Sequence, residues 1–177
     1  MSQPLLALES FHAFIDALPD ATLLIDQHHN ILVANRQISP VFGYTAAELN
    51  QLSIDTLVPS RYREAHRQYR QHYMVEPKIR PMGRDMPLWG LHKDGREFPV
   101  EVSLSPIETQ EGLCIVCVIR DITHLKNAEQ AFINDQRFRL FMSHVPAAIA
   151  MFDKDMCYLT VSQRWLDDYR LERHDIM

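Results

Sequence analysis

"HKDGREFPVEVSLSPI", residues 92–107, changes its pattern halfway along, and that change decides the fold. Asp94-Gly95 is a pair that closes tight hairpins. After it Phe98, Val100, Val102 and Leu104 alternate with Pro99, Glu101, Ser103 and Ser105, which gives one apolar and one polar face. Such a strand is half-buried. The later run "LCIVCVIRD" (113–121) is apolar on both faces and predicts a central strand beside it.

Toward the N-terminus, "ATLLID" (21–26) and "ILVAN" (31–35) flank the polar turn "QHHN" and predict a further antiparallel hairpin. Between this hairpin and residue 92 the sequence predicts short helices. "TAAELNQ" has Thr45 as N-cap with Glu48 three residues on, and "PSRYREAHRQYRQHY" has Ser60 as N-cap. After residue 121 comes one long helix, "DITHLKNAEQAFINDQRFRLFMSHV", in which Asp121 or Thr123 caps the first amides. Leu125, Ala128 and Phe132 fall at spacings of three and four before Asp135, a short stripe suited to dimerisation. Together these elements predict an α+β fold: an antiparallel sheet with helices on one side, followed by a long connector helix.

The chain matches itself at a displacement of 127 residues. Residues 11–50 align without a gap to 138–177, with Phe11/Phe138, Phe14/Phe141, Pro19/Pro146, Ala21/Ala148, Asp26/Asp153 and Leu32/Leu159 identical. The hydrophobic pattern matches as well, so the expected organisation is a domain over 8–121, a connector over 122–137 and the first part of a second, truncated domain over 138–177. Two strands alone do not bury an apolar face, so the polypeptide is expected to stop inside a domain.

The 177 residues are 46% hydrophobic, enough for a buried core, and 18 Lys and Arg against 23 Asp and Glu give a net charge of −5. That balance argues against nucleic acid as a partner. The opening "MSQPLLALESFHAFIDAL" lacks a basic leader and breaks its apolar residues with charge, so it reads as a helix of the fold. No apolar run is long enough to cross a bilayer. Cys114 and Cys117 fall on opposite faces of one strand, which argues for reduced, buried thiols and a cytoplasmic protein rather than a redox pair.

The richest candidate site is "REAHRQYRQHYMVEPKIRPMGR" (63–84). On a helix, Tyr62, His66, Tyr69 and Tyr73 share one inward face, with the arginines at 63, 67 and 70 beside or behind it. His72 lies about 240° around the helix from His66, so the two do not clamp one metal. His144 before Pro146 suggests a phospho-acceptor helix, but it lacks the acidic neighbour and arginine of such motifs. No glycine-rich nucleotide loop or catalytic triad order is present, which points away from an enzyme.

"ALPDATLLID…ILVAN…FGYTAAEL", "HKDGREFPVEVSLSPI" and "VIRDIT" in this order resemble the PAS domains of bacterial sensor kinases and cyclic-dinucleotide enzymes, over 8–124 fully and 136–177 in part. The resemblance implies a five-stranded antiparallel sheet with short helices on one face and a pocket for a small ligand or cofactor between them. It further implies that Asp121, Ile122 and Thr123 tie the last strand to an output helix. The missing effector would be a histidine kinase of a two-component phosphorelay or a diguanylate cyclase. In the haem-binding PAS sensors a histidine on this helix is the proximal iron ligand, and "H-x-x-Y-x-x-x-Y" places His66 there, with Val102 and Leu104 lining the distal side. The distal arginine of those sensors falls on Met86 here. A flavin photosensor would need a cysteine in the helical segment, and none lies there. The expected function is therefore a sensory module for an unidentified small ligand, acting as a homodimer through the connector. The alternatives are a haem-based gas or redox sensor and a PAS module that only binds proteins.

Overall fold

The computed structural model describes residues 8–50, 52–82, 87–109 and 112–172. The chain divides into two compact units, Met1–His124 and Leu125–Met177. Among the described residues no helix is long and apolar enough to cross a membrane.

In the first unit a helix α1 (Leu8–Asp16) precedes β1 (Ala21–Ile25) and β2 (Ile31–Ala34). Next come α2 (Ile38–Phe42), α3 (Ala46–Leu49), 3-10 turns over Ile54–Leu57 and Ser60–Tyr62, and α4 (Arg63–Val75). The remaining strands are β3 (Arg80–Met82), β4 (Leu88–Leu91), β5 (Glu97–Thr109) and β6 (Gly112–Asp121). The sheet is antiparallel, ordered β2-β1-β6-β5, and both β3 and β4 pair with the far edge of β5. β4 lies against residues 97–100 of β5 and β3 against 102–104. The sheet is thus five strands wide, as expected, with its outer position shared by two short strands end to end.

Alternation along the strands sorts side chains between two cores. On one face Leu23, Ile25, Phe98, Val100, Cys117 and Ile119 pack with Ile38, Phe42, Leu49 and Leu57 of the helical segment. On the other, Leu24 and Cys114 pack against Ile15 of α1. Phe42 and Phe98 are fully buried with ring centroids 5.2 Å apart, and each contributes about 1.5–3 kcal/mol by leaving water. Pro99, which has no N–H to give, lies one residue before β5 begins to pair with β6 at Val100.

Local signals fix the helix ends. Thr45 and Glu48 form the expected capping box, and Gly43 ends α2 at φ 75°, a left-handed position that favours glycine. Ser60 does not cap α4. The helix begins from the 3-10 turn with Tyr62 at its N-cap and no side-chain cap bond.

The second unit holds most of α5 (Thr123–His144), then β7 (Ala150–Phe152), β8 (Tyr158–Val161) and α6 (Gln163–Tyr169). Its hairpin repeats that of the first unit at the displacement of 127. Leu23↔Ala34, Leu24↔Val33 and Ile25↔Ile31 reappear as Ala150↔Val161, Met151↔Thr160 and Phe152↔Tyr158, with the same break in register. Asp26 Oδ1 accepts from the amides of His28 and Asn30, and Asp153 Oδ1 from those of Asp155 and Cys157. His29 (φ 70°) and Met156 (φ 63°) take the same left-handed turn position. Buried Asn35 accepts from the amide of Thr22 and donates to Asp20 O; buried Ser162 accepts from Ile149 and donates to Ala147 O. Arg170 ends α6 in the left-handed conformation that Gly43 adopts at the end of α2.

The two hairpins differ in their cover. β1 pairs with β6 on its second edge, whereas among the described residues β7 pairs only with β8. Leu24 and Ile25 are buried, but their counterparts Met151 and Phe152 are 44% and 37% exposed.

Candidate functional site

A cavity of about 370 Å³ lies between α4 and the sheet face of the first unit. β1, β5 and β6 supply its apolar wall through Ile25, Val100, Val102, Leu104, Ile115 and Cys117. The facing helical wall carries Tyr62, His66, Tyr69 and Tyr73, the side chains that helical spacing placed on one face. No residue of α4 is fully buried, so the helix stands over the cavity rather than packing flat on the sheet. Tyr69 lines the cavity while half exposed, and Tyr73 donates from its hydroxyl to Lys78 O at 2.6 Å. His66, Tyr69, Tyr73, Val102 and Leu104 therefore share one cavity; Met86 lies outside the described residues.

One of the three arginines beside that face turns into the cavity. Arg70 lines the cavity and its side chain is only 16% exposed. Four helical residues turn the chain through about 400°, so Arg70 stands only about 40° from His66. Arg67, 54% exposed, does lie outward.

Asp55 organises this wall. Ser53 caps the 3-10 turn by accepting from the Asp55 amide, and the turn carries the Asp55 carboxylate beneath α4. Asp55 Oδ1 is 2.8 Å from His66 Nδ1, and Oδ2 accepts from Arg70 Nη2 at 2.9 Å and Arg67 Nε at 3.3 Å. Burial alone would raise the Asp55 carboxyl, but its bonds to His66 and Arg67 and the charge of Arg70 outweigh that and hold it below the usual carboxylate range. Burial lowers His66, and the bond to Asp55 only partly offsets this. The ring is accordingly neutral near pH 7, donating from Nδ1 and leaving the Nε2 lone pair free. His29 is lowered by burial first and by Arg70 next. Arg70 Nε and Nη1 are buried without a hydrogen-bond partner, a state that costs about 1–3 kcal/mol for each group left so.

The sheet meets the connector helix at residues 121–123. Asp121 Oδ1 accepts from the Thr123 amide at 2.7 Å, and Ile122, buried, donates from its amide to Pro99 O at 3.1 Å. Of the two candidate caps, Asp121 is the one that acts. The Thr123 hydroxyl is buried without a partner. β6 thus runs from the cavity wall at Ile115 and Cys117 directly to the first turn of α5.

The family model described as the PAS fold matches residues 9–122. A probable serine/threonine-protein kinase of Dictyostelium discoideum is 32% identical over 91 residues, covering 51% of this chain and 6% of that protein. Sensor protein FixL of Bradyrhizobium diazoefficiens is 24% identical over 141 residues, covering 78% of this chain and 27% of FixL. Oxygen sensor protein DosP of Escherichia coli is 26% identical over 99 residues, covering 56% of this chain and 12% of DosP. The matches span roughly a quarter or less of these relatives' lengths. Among solved structures, the PAS domain of a Desulfitobacterium hafniense protein superposes with a TM-score of 0.54 at 21% identity, covering 62% of this chain and 98% of that one.

Proposed function

The chain belongs to the PAS family, whose modules are sensory rather than catalytic, and on that premise we propose that its first unit senses a small ligand in the cavity beneath α4. The observation that carries this reading is the cavity itself: about 370 Å³, apolar on the sheet side, with a few convergent polar groups on the helix side. Occupancy biases β6, which lines the cavity and ends at the Asp121 cap, and so biases the first turn of α5. The effector is a histidine kinase or diguanylate cyclase joined beyond α5. Leu125 and Phe132, 60% and 64% exposed, supply the apolar stripe through which two copies pair. The matched hairpins support assigning residues 138–177 to the opening of a second unit of the same fold.

The test is a thermal-shift screen of small molecules. A ligand should raise the melting temperature of the wild type and not of Val102→Trp, which fills the cavity. A library that stabilises neither, or both alike, would reject the pocket and leave protein binding alone.

One observation favours haem as the ligand. His66 is neutral, and Asp55 fixes it through Nδ1 with Nε2 free, as carboxylate-held histidine ligands are. His66 would hold the iron, Val102 and Leu104 would face the macrocycle, and Arg70 would meet its acidic edge. Bound there, haem would supply a site for a diatomic gas or an electron. Haem titration should then give a Soret band that His66→Ala abolishes; an unchanged spectrum in that variant would exclude this reading.

A further inference from the structure

Arg70 brings a permanent charge into a wall that otherwise has none. Among the described residues lining the cavity there is no Asp, Glu or Lys, and the two histidines, His29 and His66, are both lowered by burial first. The guanidinium is anchored on one edge only, where Nη2 donates to Asp55 Oδ2 at 2.9 Å. That carboxylate is shared with Arg67 and His66, so it does not belong to Arg70 alone. Nε and Nη1 are buried and unpartnered. Together they carry three of the five N–H donors of the group, and a buried charged donor left unpaired is unfavourable until an acceptor reaches it.

From this geometry we propose that the ligand is an amphiphilic monocarboxylate, its carboxylate paired with the Arg70 guanidinium and its apolar body against Val102, Leu104 and Ile115. The inference rests on the reading of the cavity as a ligand pocket and adds the chemistry of what fills it. A monoanion matches the wall, because a single guanidinium already partnered by Asp55 offers too few donors and too little charge for a phosphate dianion. Asp55 acts as the positioning residue. By holding Nη2 it fixes the guanidinium in the wall, and by holding His66 Nδ1 it occupies that ring donor.

The experiment is calorimetric titration of the full chain with octanoate and with octanamide, which share a body and differ in charge. Octanoate should bind about tenfold or more tightly than octanamide, the gain of a charge-assisted hydrogen bond. In Arg70→Gln the preference should vanish, and Arg70→Lys should restore part of it. Equal affinity for the two probes in the wild type, or a preference that survives Arg70→Gln, overturns the inference and leaves the pocket standing. If neither probe binds, both the inference and the pocket reading fall. If Arg70→Gln does not fold, the wild-type comparison decides.

A haem propionate offers the same carboxylate chemistry, and a third titration separates the sources. Haem that binds through His66 and is weakened in Arg70→Gln assigns the carboxylate to a porphyrin. Haem that binds equally well to that variant, with no preference for octanoate, counts against the assignment of Arg70.

Discussion

His66 and His29 place a pH dependence in the wall of the cavity. Both have folded-state pKa values below the ordinary 6.5. Between the depressed values and 6.5 the unfolded chain binds more protons than the folded one, so stability is full above about pH 6.5 and falls as the pH falls below it. Urea midpoints measured at about pH 7.5 and about pH 5.5 should therefore drop for the wild type, and drop less for His66→Gln. Equal drops would mean that His66 is not buried neutral. Gly43 is a second sensitive residue: φ is 75°, and a Cβ there would lie 2.5 Å from Cε1 of His92. Gly43→Ala should cost about 1–3 kcal/mol in a denaturant titration, from strain and crowding together. Burial pushes the Cys117 thiol up to about 12, and Cys114 is buried too, while Cys157 is exposed. A thiol reagent should thus label Cys157 in the native protein and reach the other two only on unfolding. Residues governed by periodicity were legible in the sequence: Val102 and Leu104 by alternation, His66, Tyr69 and Tyr73 by helical spacing. Asp55 was not, because a 3-10 turn imposes no repeating pattern and the contact to His66 spans eleven residues. Arg70 was legible in part, since its spacing of four from His66 puts it beside the inward face.

At the scale of elements, the strands and hairpins were readable because their turns carry chemistry of their own. Asp94-Gly95 closes β4 onto β5 with Gly95 at φ 91°, and Asp26 closes β1 onto β2 with its carboxylate. β3 carries no sequence signal, since three residues including a proline give no period and their pairing depends on β5 being there. At the connector the sequence allows two caps and the fold uses one. Asp121 and Thr123 were equal candidates for the cap, and the carboxylate of Asp121 takes the role. Asp121→Ala should lower stability by about 0.5–2 kcal/mol, as loss of a cap does, whereas Thr123→Val should cost less because its hydroxyl makes no bond. Hydrogen exchange over the first turn of α5 gives the functional half of the test. If ligand binding alters exchange there in the wild type and not in Asp121→Ala, the cap couples sheet to helix; an unchanged response would remove it from the relay.

For the whole molecule, the repeat at 127 residues carries an argument that neither unit carries alone. One hairpin construction occurs twice, with the same register, aspartate turn and left-handed positions, yet in two environments. β1 has neighbours on both edges, and its Leu24 and Ile25 are buried. Among the described residues β7 has β8 alone, and Met151 and Phe152 remain exposed. Local chemistry is therefore sufficient to specify the hairpin, while protection of its backbone depends on what lies beside it. Amide exchange in β7 should run orders of magnitude faster than in β1, approaching the rates of locally open structure rather than of the global unfolding that limits a central strand. Size-exclusion chromatography with light scattering on the same sample makes the comparison decisive. Slow exchange in a monomer would contradict the open edge. Slow exchange in a dimer that reverts to fast exchange in a monomeric Phe132→Glu variant would mean that a second copy covers β7 as well as pairing through α5.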